Sequence, residues 1–396
     1  MNVVISKEIL GTEKHLLHDG KRFTWSSSHD EDGWKLGFKN ELKDLRMLAD
    51  GSNVSLSLFD STPSGKAAKF IFGESKIPWM KVLPDDVFRK QLTVILDQLW
   101  MLLRDESNGY YKNQFLINRE IIMNLCRPII DTALLKKIIS NETESRVHDL
   151  KKFLPKEGDI SPRTVYNQLG SVTGRLTVID GPNILTLKRE NRKILKSRFD
   201  SGLIIQLDIS SLEPRIALSM AGKDSPKDIY KFIGDTVLEN QLTRDQVKVA
   251  VLTCIYGGSV WSLSQRLPKT LDAKYVLESI VKYFKIEDLR KYLQDDLKAV
   301  GHIKNLYGRQ IKETDAMINH FLQSSGVDVS FNVFSLIIEK FNSLEIEFIP
   351  LYVIHDAIVL DIPRSSYDKI KESTQDGFLI SELNCKFPIK IEVIRE

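Results

Sequence analysis

Hydrophobic and polar positions follow different periods in successive parts of the chain. In residues 1–90, the strict alternation at 54–58 and the apolar run at 69–72 predict short strands separated by turns. From residue 85 to about 140, apolar side chains recur at helical spacing instead. These residues are Phe88, Leu92, Leu96, Leu99 and Leu103. The pattern predicts a β-rich N-terminal region followed by helices.

The second half of the chain mixes both periods, and turn residues separate its elements. The predicted elements are a strand at 203–209, a helix at 212–221, helices through 226–300, a hairpin at 351–354 and 357–362, and a strand at 389–394. Long helices inserted between strands that pair with one another favour an α+β fold.

Composition narrows the class of protein only slightly. The 396 residues are 42% hydrophobic, enough for more than one core, and the formal net charge is +3. Three distant cysteines, Cys126, Cys254 and Cys385, match no zinc spacing and indicate reduced thiols. We find no signal peptide and no run of about 20 apolar residues, so we expect no membrane association.

Two carboxylates stand next to apolar strands. Asp208 comes near the end of run 203–209, before a helix that Ser211 is suited to cap and whose first turn tolerates Pro214. Asp356 lies at the tip of the predicted hairpin, and either residue alone is equally compatible with an ordinary turn. Two carboxylates in one cleft repel unless a divalent cation neutralises them or one is protonated. Two-metal phosphoryl transfer uses such a pair.

A predicted helix in residues 244–258 carries cations on one face. Arg244, Lys248, Leu252 and Tyr256 recur every four residues and therefore share that face. Two cations four residues apart repel slightly, so a polyanion such as a triphosphate along the face would explain them. The alternative is a solvated basic surface. The glycines that follow Tyr256 end the helix and leave an aromatic ring able to stack on a base.

Taken in order, these segments resemble the motifs of family A DNA polymerases, the group of bacterial DNA polymerase I and the phage replicases. Residues 208–215 resemble the first palm motif, 244–257 the fingers-helix motif, and 355–356 the second palm motif. The supporting segments are Thr-Gly-Arg-Leu at 173–176, Pro-Asn-Ile-Leu at 182–185, residues 301–309, and Asn319 with Gln323. The resemblance covers about 170–396.

The resemblance implies an α+β right-hand polymerase fold, in which a palm with an antiparallel sheet joins helical fingers and a thumb. We expect the following division: 1–90, a β-rich N-terminal region of unknown role; 91–170, a thumb-like helical region; 171–222 and 312–396, the palm; and 223–311, the fingers.

Catalytic roles follow from the same resemblance. It implies that Asp208 and Asp356 hold two Mg²⁺ ions, with Mn²⁺ as an alternative and the Ile209 carbonyl as a further ligand. Arg244 and Lys248 would grip the triphosphate, and Lys248 would protonate the departing pyrophosphate.

The expected substrates are dNTPs and primer–template DNA. Glu213, held by Tyr256, would exclude a ribose 2′-hydroxyl, and Leu252 and Tyr230 would complete the nucleotide site. The expected DNA-binding residues are Thr173, Arg175, Lys188, Arg189, Arg192, Asn319, Gln323 and His355. For the basic run at 188–198, a solvated loop and helix is the alternative.

Four positions depart from the family pattern. Ala357 stands where the family usually has Glu, Leu252 where it has an aromatic residue, Tyr230 where it has His, and Asp315 where it has Arg. Two alternatives therefore stay open: a single-subunit RNA-polymerase-like enzyme and a degenerate nucleic-acid-binding protein. Glu213 favours dNTPs over the first, and the two aspartates with Arg244 and Lys248 favour catalysis over the second.

The first 90 residues match no family motif. They contain no Asp-x-Glu and are shorter than the family's nuclease, so we expect no 3′–5′ proofreading. Their acids at 30–32, 50 and 60 lie in predicted turns. We expect a cytoplasmic protein of a prokaryotic or phage-infected cell. Its protein partners, and the choice between replication and repair, are left open.

Overall fold

A computed structural model describes residues 2–27, 34–37, 56–73, 77–104, 109–168, 170–312 and 315–396. The chain divides into two compact units, Met1–Phe115 and Leu116–Glu396.

The first unit combines a small sheet with helices. Its elements are β1 (Val3–Ile5), α1 (Lys7–Leu10), β2 (His15–His18), β3 (Phe23–Ser26), β4 (Trp34–Leu36), α2 (Pro63–Phe72), α3 (Trp79–Val82), α4 (Asp85–Arg104) and the first half of α5 (Gly109–Met123). The strand order is β3-β2-β1-β4, and β1 and β4 run parallel. The five apolar residues that predicted a helix from Phe88 to Leu103 are all buried along α4, which confirms that prediction.

The strand predicted at residues 69–72 is wrong, because these residues form the end of α2. The side chain of Thr62 accepts a hydrogen bond from the Gly65 N–H at 2.9 Å, and Pro63 begins the helix. Gly73 ends it at a φ of +65°, which favours glycine. Residues 56–58 form no strand either, whereas residues 54 and 55 lie outside the described residues.

The second unit holds most of the chain. Its helices are α6 (Thr132–Ile139), α7 (Glu144–Lys151), α8 (Leu212–Met220), α9 (Ile229–Thr236), α10 (Arg244–Ile255), α11 (Val260–Ser264), α12 (Ala273–Tyr283), α13 (Ile286–Val300), α14 (Met317–Ser343) and α15 (Tyr367–Thr374). Its strands are β5 (Ile129–Ile130), β6 (Val165–Asn167), β7 (Thr177–Asp180), β8 (Leu195–Lys196), β9 (Leu203–Ile209), β10 (Ile303–Lys304), β11 (Gln310–Ile311), β12 (Ile349–Ile354), β13 (Ala357–Ile362), β14 (Phe378–Ile380), β15 (Cys385–Phe387) and β16 (Ile389–Arg395).

A four-stranded antiparallel sheet of order β12-β13-β9-β16 forms the centre of this unit. We call it the central sheet. Strands β13 and β9 lie inside it and are almost wholly buried, as their continuous apolar runs require. The predicted strand at 203–209, the hairpin and the last strand are all present.

The 27-residue helix α14 is long and apolar enough, by length and composition, to be a candidate membrane span, although polar residues interrupt its apolar positions. However, 67% of its most apolar window is buried inside the protein, as in a core helix of a folded domain. It packs closely on α8 at Gly326, where an added Cβ would lie 3.2 Å from the Leu212 Cδ2 atom.

Candidate active site

The central sheet brings the two predicted carboxylates together. Asp208 on β9 lies directly opposite Ala357 on β13. Asp356 precedes Ala357 in the turn between β12 and β13, and its carbonyl accepts a hydrogen bond from the Ile209 N–H at 3.1 Å. His355 in the same turn has a φ of +56°, an uncommon conformation for a residue other than glycine. The turn therefore fixes Asp356 beside the end of β9.

These two carboxylates are half-buried, and the charged form of each is disfavoured. Burial raises the pKa of Asp208. Burial, followed by the negative charges of Asp208 and Glu213, raises the pKa of Asp356 to about 7. A divalent cation would reverse this penalty, because it supplies the positive charge that two neighbouring carboxylates lack. Carboxylate oxygens are the ligands that Mg²⁺ prefers, and Mg²⁺ often binds through one or two carboxylates together with substrate phosphates. Asp208 and Asp356 therefore fit such an ion.

Glu213 lies in the first turn of α8 and faces the same cavity as Asp356. An Arg175 guanidinium nitrogen lies 3.1 Å from its Oε1 atom, and the Tyr256 side chain hydrogen bonds with it. The cavity has a volume of about 240 Å³. Its lining residues are Arg175, Leu176, Leu212, Glu213, Gln323, Gly326, Val327, Ser330, Phe331, His355 and Asp356. Four of the predicted substrate- and DNA-binding residues thus meet one predicted metal ligand.

Helix α10 presents the predicted cationic face. It begins with a capping box, in which Thr243 and Gln246 satisfy each other's backbone N–H groups. Lys248 is exposed, and its charge lowers the pKa of Asp208. Arg244 is held by Asp228 at 2.8 Å, and Leu252 packs partly buried against the core.

Ser211 differs from its expected role as a helix cap, and its side chain contacts Tyr230 instead. Ser211 stands at the N-cap of α8, as predicted, but it has a φ of +56° and its side chain does not cap the helix. It hydrogen bonds with Tyr230, a contact that counts among the influences on the Tyr230 pKa. Tyr230 is buried, and the Arg244 guanidinium lies 5.5 Å from its ring centroid.

The expected DNA-binding residues lie at the cavity, in the protein interior and in the segment 188–192. His355 and Gln323 line the cavity, and Gln323 donates a hydrogen bond to the Asn319 Oδ1 atom at 2.6 Å. Burial and the charge of Arg175 lower the pKa of His355. Thr173 is buried, so its side chain is not open to solvent.

The basic residues at 188–192 are each engaged within the protein. Lys188 pairs with Glu142 at 2.9 Å. Arg189 pairs with Glu392, and Arg192 donates to the Gln206 Oε1 atom at 2.9 Å. Their expected contacts with a DNA backbone would therefore compete with intramolecular partners.

A buried ion pair supports the loop that carries Arg175. Arg309 and Asp328 lie 3.1 Å apart, with side-chain exposures of 3% and 0%. Gly174, at a φ of +72°, packs against Arg309, and an added Cβ would lie 2.7 Å from the guanidinium carbon. We call Arg309, Asp328, Asn305 and Asn118 the buried ion-pair network.

Three polar neighbours of Asp208 are not among the predicted site residues: Gln206, Lys390 and Glu392. Gln206 lies two residues earlier on the same face of β9 and donates to Asp208 at 3.4 Å. Lys390 and Glu392 on β16 pair with Asp208 and Gln206. The i, i+2 spacing of Gln206 was readable from the sequence, but the pairing of β9 with a strand 180 residues later was not.

A family model described as DNA polymerase family A matches residues 88–395. The chain belongs to this family. The relatives of this family A chain include a DNA polymerase of Bacillus phage SP01, 27% identical over 251 residues, which cover 50% of this chain and 26% of that protein. DNA polymerase I of Lactococcus lactis is 23% identical over 279 residues, which cover 62% of this chain and 32% of that protein. The chain thus spans about a third or less of these curated relatives.

A solved structure, the POL domain of Pol1 from M. smegmatis in complex with DNA primer-template and dNTP, has a similar fold. The TM-score is 0.57 at 14% sequence identity, and the match covers 96% of this chain and 92% of that one. This likeness confirms the predicted α+β polymerase fold of the family A chain.

Proposed function

We propose that this family A chain is a template-directed DNA polymerase that adds dNTPs to a primer 3′-hydroxyl and releases pyrophosphate. The observation that carries the proposal is the register of the central sheet. It sets Asp208 beside the turn that holds Asp356, at a cavity that Glu213, Arg175 and His355 also line. Bacterial and phage relatives that are named DNA polymerases support the same reaction and a cytoplasmic location.

Divalent-cation dependence is general in the family. For this chain we propose two Mg²⁺ ions, or Mn²⁺, held by Asp208 and Asp356 with the Ile209 carbonyl. When bound, such ions activate the primer 3′-hydroxyl and neutralise the charge that develops on the phosphates. The chain's own part is to hold the two carboxylates rigidly in the sheet and to surround the triphosphate with cations.

Two side chains of α10 are assigned to the triphosphate. Lys248 is an exposed cation whose charge lowers the pKa of Asp208, so the same charge would attract a phosphate bound near that carboxylate. It is our candidate for the proton donor to the departing pyrophosphate. Arg244 would exchange its ion pair with Asp228 for a phosphate when the nucleotide binds.

Sugar selection is assigned to Glu213. Arg175 and Tyr256 hold its carboxylate in the cavity, where it would occupy the space of a ribose 2′-hydroxyl. Thr173, Arg175, Asn319, Gln323, His355, Lys188, Arg189 and Arg192 are the proposed contacts to primer–template DNA. Within the family A fold we propose 91–170 as a thumb-like region, 171–222 and 312–396 as the palm, and 223–311 as the fingers.

Primer extension on a defined template, with dNTPs or rNTPs supplied separately, tests this function. We expect extension with dNTPs and a clear preference for them over rNTPs. Glu213→Ala should reduce that preference, because it opens the space for a 2′-hydroxyl, whereas Glu382→Ala, which removes an exposed carboxylate elsewhere, should leave it unchanged.

Equal use of both nucleotide types by the unmodified protein would instead identify an RNA-polymerase-like enzyme. Failure to extend with either type, despite tight binding to primer–template, would identify a degenerate binding protein. The two outcomes therefore separate the alternatives that Ala357 and Leu252 leave open.

A further inference from the structure

The edge strand of the central sheet places a lysine beside the catalytic carboxylate. Lys390 on β16 pairs with Asp208 on β9, which in turn pairs with Ala357 on β13. Residues that pair directly across neighbouring strands project from the same face of a sheet, with Cβ atoms about 5 Å apart. Asp208 therefore stands between a lysine on one side and an alanine with the Asp356 turn on the other.

Most other cations near this carboxylate already have acidic or polar partners. Arg189 pairs with Glu392, and Arg192 donates to Gln206. Lys390 and Lys248, in contrast, are both exposed, and neither has an ion pair among the residues that the structure describes. Lys390 acts on Asp208 from the neighbouring strand β16, and Lys248 acts on it from α10.

We infer that Lys390 is a nucleotide-binding residue that holds the triphosphate tail of the incoming dNTP from β16, together with Lys248 on α10. This inference rests on the proposed function. A triphosphate held at Asp208 carries several negative charges, and two cations that approach it from different elements neutralise more of that charge than α10 alone.

A structural explanation of Lys390 makes a different prediction. Edge strands often carry lysine because its charge prevents pairing with another chain. On that explanation, replacement of Lys390 would promote association of the protein and leave its affinity for nucleotides unchanged. If Lys390 instead holds the triphosphate, its replacement would leave the protein monodisperse and lower its affinity for nucleotides.

The test compares Lys390→Gln, which removes the charge but keeps a polar side chain, with Lys390→Arg and with Lys386→Gln. Lys386 is an exposed lysine on β15. Its backbone carbonyl accepts hydrogen bonds from Arg215 and Cys385, and its side chain has no ion pair within the described ranges. In steady-state primer extension we expect Lys390→Gln to raise the KM for dNTP about tenfold, with a smaller change in kcat. Lys390→Arg should restore most of the affinity, and Lys386→Gln should match the unmodified protein.

Equilibrium titration with inorganic tripolyphosphate and Mg²⁺ separates this inference from the proposed function. We expect Lys390→Gln to bind tripolyphosphate about tenfold more weakly, and its affinity for primer–template DNA to stay the same. Unchanged KM and tripolyphosphate affinity in Lys390→Gln would overturn the inference while the polymerase assignment stands. Weaker tripolyphosphate binding in a protein that extends no primer would support the role of Lys390 and overturn the polymerase function.

Discussion

Two groups of buried carboxylates lie in the second unit, and their surroundings differ. Asp328 on α14 is fully buried and receives hydrogen bonds from Arg309, Asn305 and Asn118 at 2.6–3.4 Å. Asp208 and Asp356 are half-buried, and neither has an ion pair among the described residues. The fold thus gives Asp328 three partners and leaves Asp208 and Asp356 without an ion pair in the described part of the chain, and we call these two the uncompensated pair.

The difference indicates what each group is for. A buried charge with complete partners contributes to structure, because removal of one partner leaves the others desolvated and unpaired. A carboxylate whose pKa is raised by burial and by neighbouring carboxylates, as that of Asp356 is, carries unfavourable energy in the folded state, which is a common property of functional sites. We propose that the Mg²⁺ ions assigned to Asp208 and Asp356 supply the positive charge that this pair lacks.

The largest effect is expected from neutralising the uncompensated pair. Asp208→Asn or Asp356→Asn should lower the rate of primer extension by roughly three to four orders of magnitude, or about 5 kcal/mol of transition-state stabilisation. The urea midpoint should stay the same or rise, since an unfavourable charge is removed. Single-turnover extension and urea unfolding measure the two quantities. A variant that loses rate only because it unfolds would contradict the expected combination of a slow reaction and an unchanged urea midpoint.

The opposite result is expected for the buried ion-pair network. Asp328→Asn should destabilise the fold by about 3–5 kcal/mol, because the Arg309 guanidinium would remain buried without its charge partner. Activity per folded molecule should fall far less than in Asp208→Asn. Urea unfolding monitored by circular dichroism gives the stability, and extension below the unfolding midpoint gives the activity. If Asp328→Asn is as stable as the unmodified protein, Asp328 is not the structural counterpart that we describe.

The pH dependence of stability sharpens the comparison further. The pKa of Asp356 is raised from 3.8 to about 7 in the folded state, so the folded protein binds this proton more tightly than the unfolded chain. The stabilisation from protonation is present below the unfolded pKa and is lost as pH rises toward the folded value. Between pH 5 and 7 this loss amounts to about 2–3 kcal/mol.

Urea unfolding in EDTA at pH 5 and pH 8, for the unmodified protein and Asp356→Asn, measures this loss. The unmodified protein should lose more stability than the variant over that interval, and saturating Mg²⁺ at pH 8 should reduce the gap. Parallel pH profiles for the two proteins would show that Asp356 is not protonated in this range.

The sequence predicted the elements that carry the uncompensated pair, because each has a local signal. Each signal depends only on neighbours within one element. The signals are the apolar run of β9, the hairpin around His355 and Asp356, and the recurrence of residues every four positions along α10. It failed at residues 69–72, where a four-residue apolar run has too few positions to distinguish a helix from a strand. The N-cap Thr62 was the signal that could have decided it.

The partners of the charged residues could not be predicted in this way. Asp328 meets Asn118 across 210 positions of sequence, and Lys390 meets Asp208 only because β16 joins the sheet beside β9. Such pairs depend on the register of distant elements, which no local pattern contains. The sequence therefore identified the candidate carboxylates but not which of them the fold leaves uncompensated.

The smallest expected effect concerns proofreading, where we predict no reaction. A 3′–5′ nuclease requires its own carboxylates that are free to hold cations. In the described part of the first unit, Asp60 pairs with Lys69 at 2.9 Å, and Asp19 accepts the N–H groups of Lys21 and Arg22. These acids resemble Asp328 in having partners, although they are more exposed. The acids at 30–32 and 50 lie outside the described residues.

A primer with a mismatched 3′ end, incubated with Mg²⁺ and no dNTPs, should therefore keep its length over the time in which a matched primer is fully extended. The Asp208→Asn variant serves as the control, since it removes the polymerase site and with it any shortening by reversal of the polymerase reaction. Time-dependent removal of the mismatch by that variant would demonstrate a second group of uncompensated carboxylates in the chain. The residues at 30–32 and 50 would then be the first to replace.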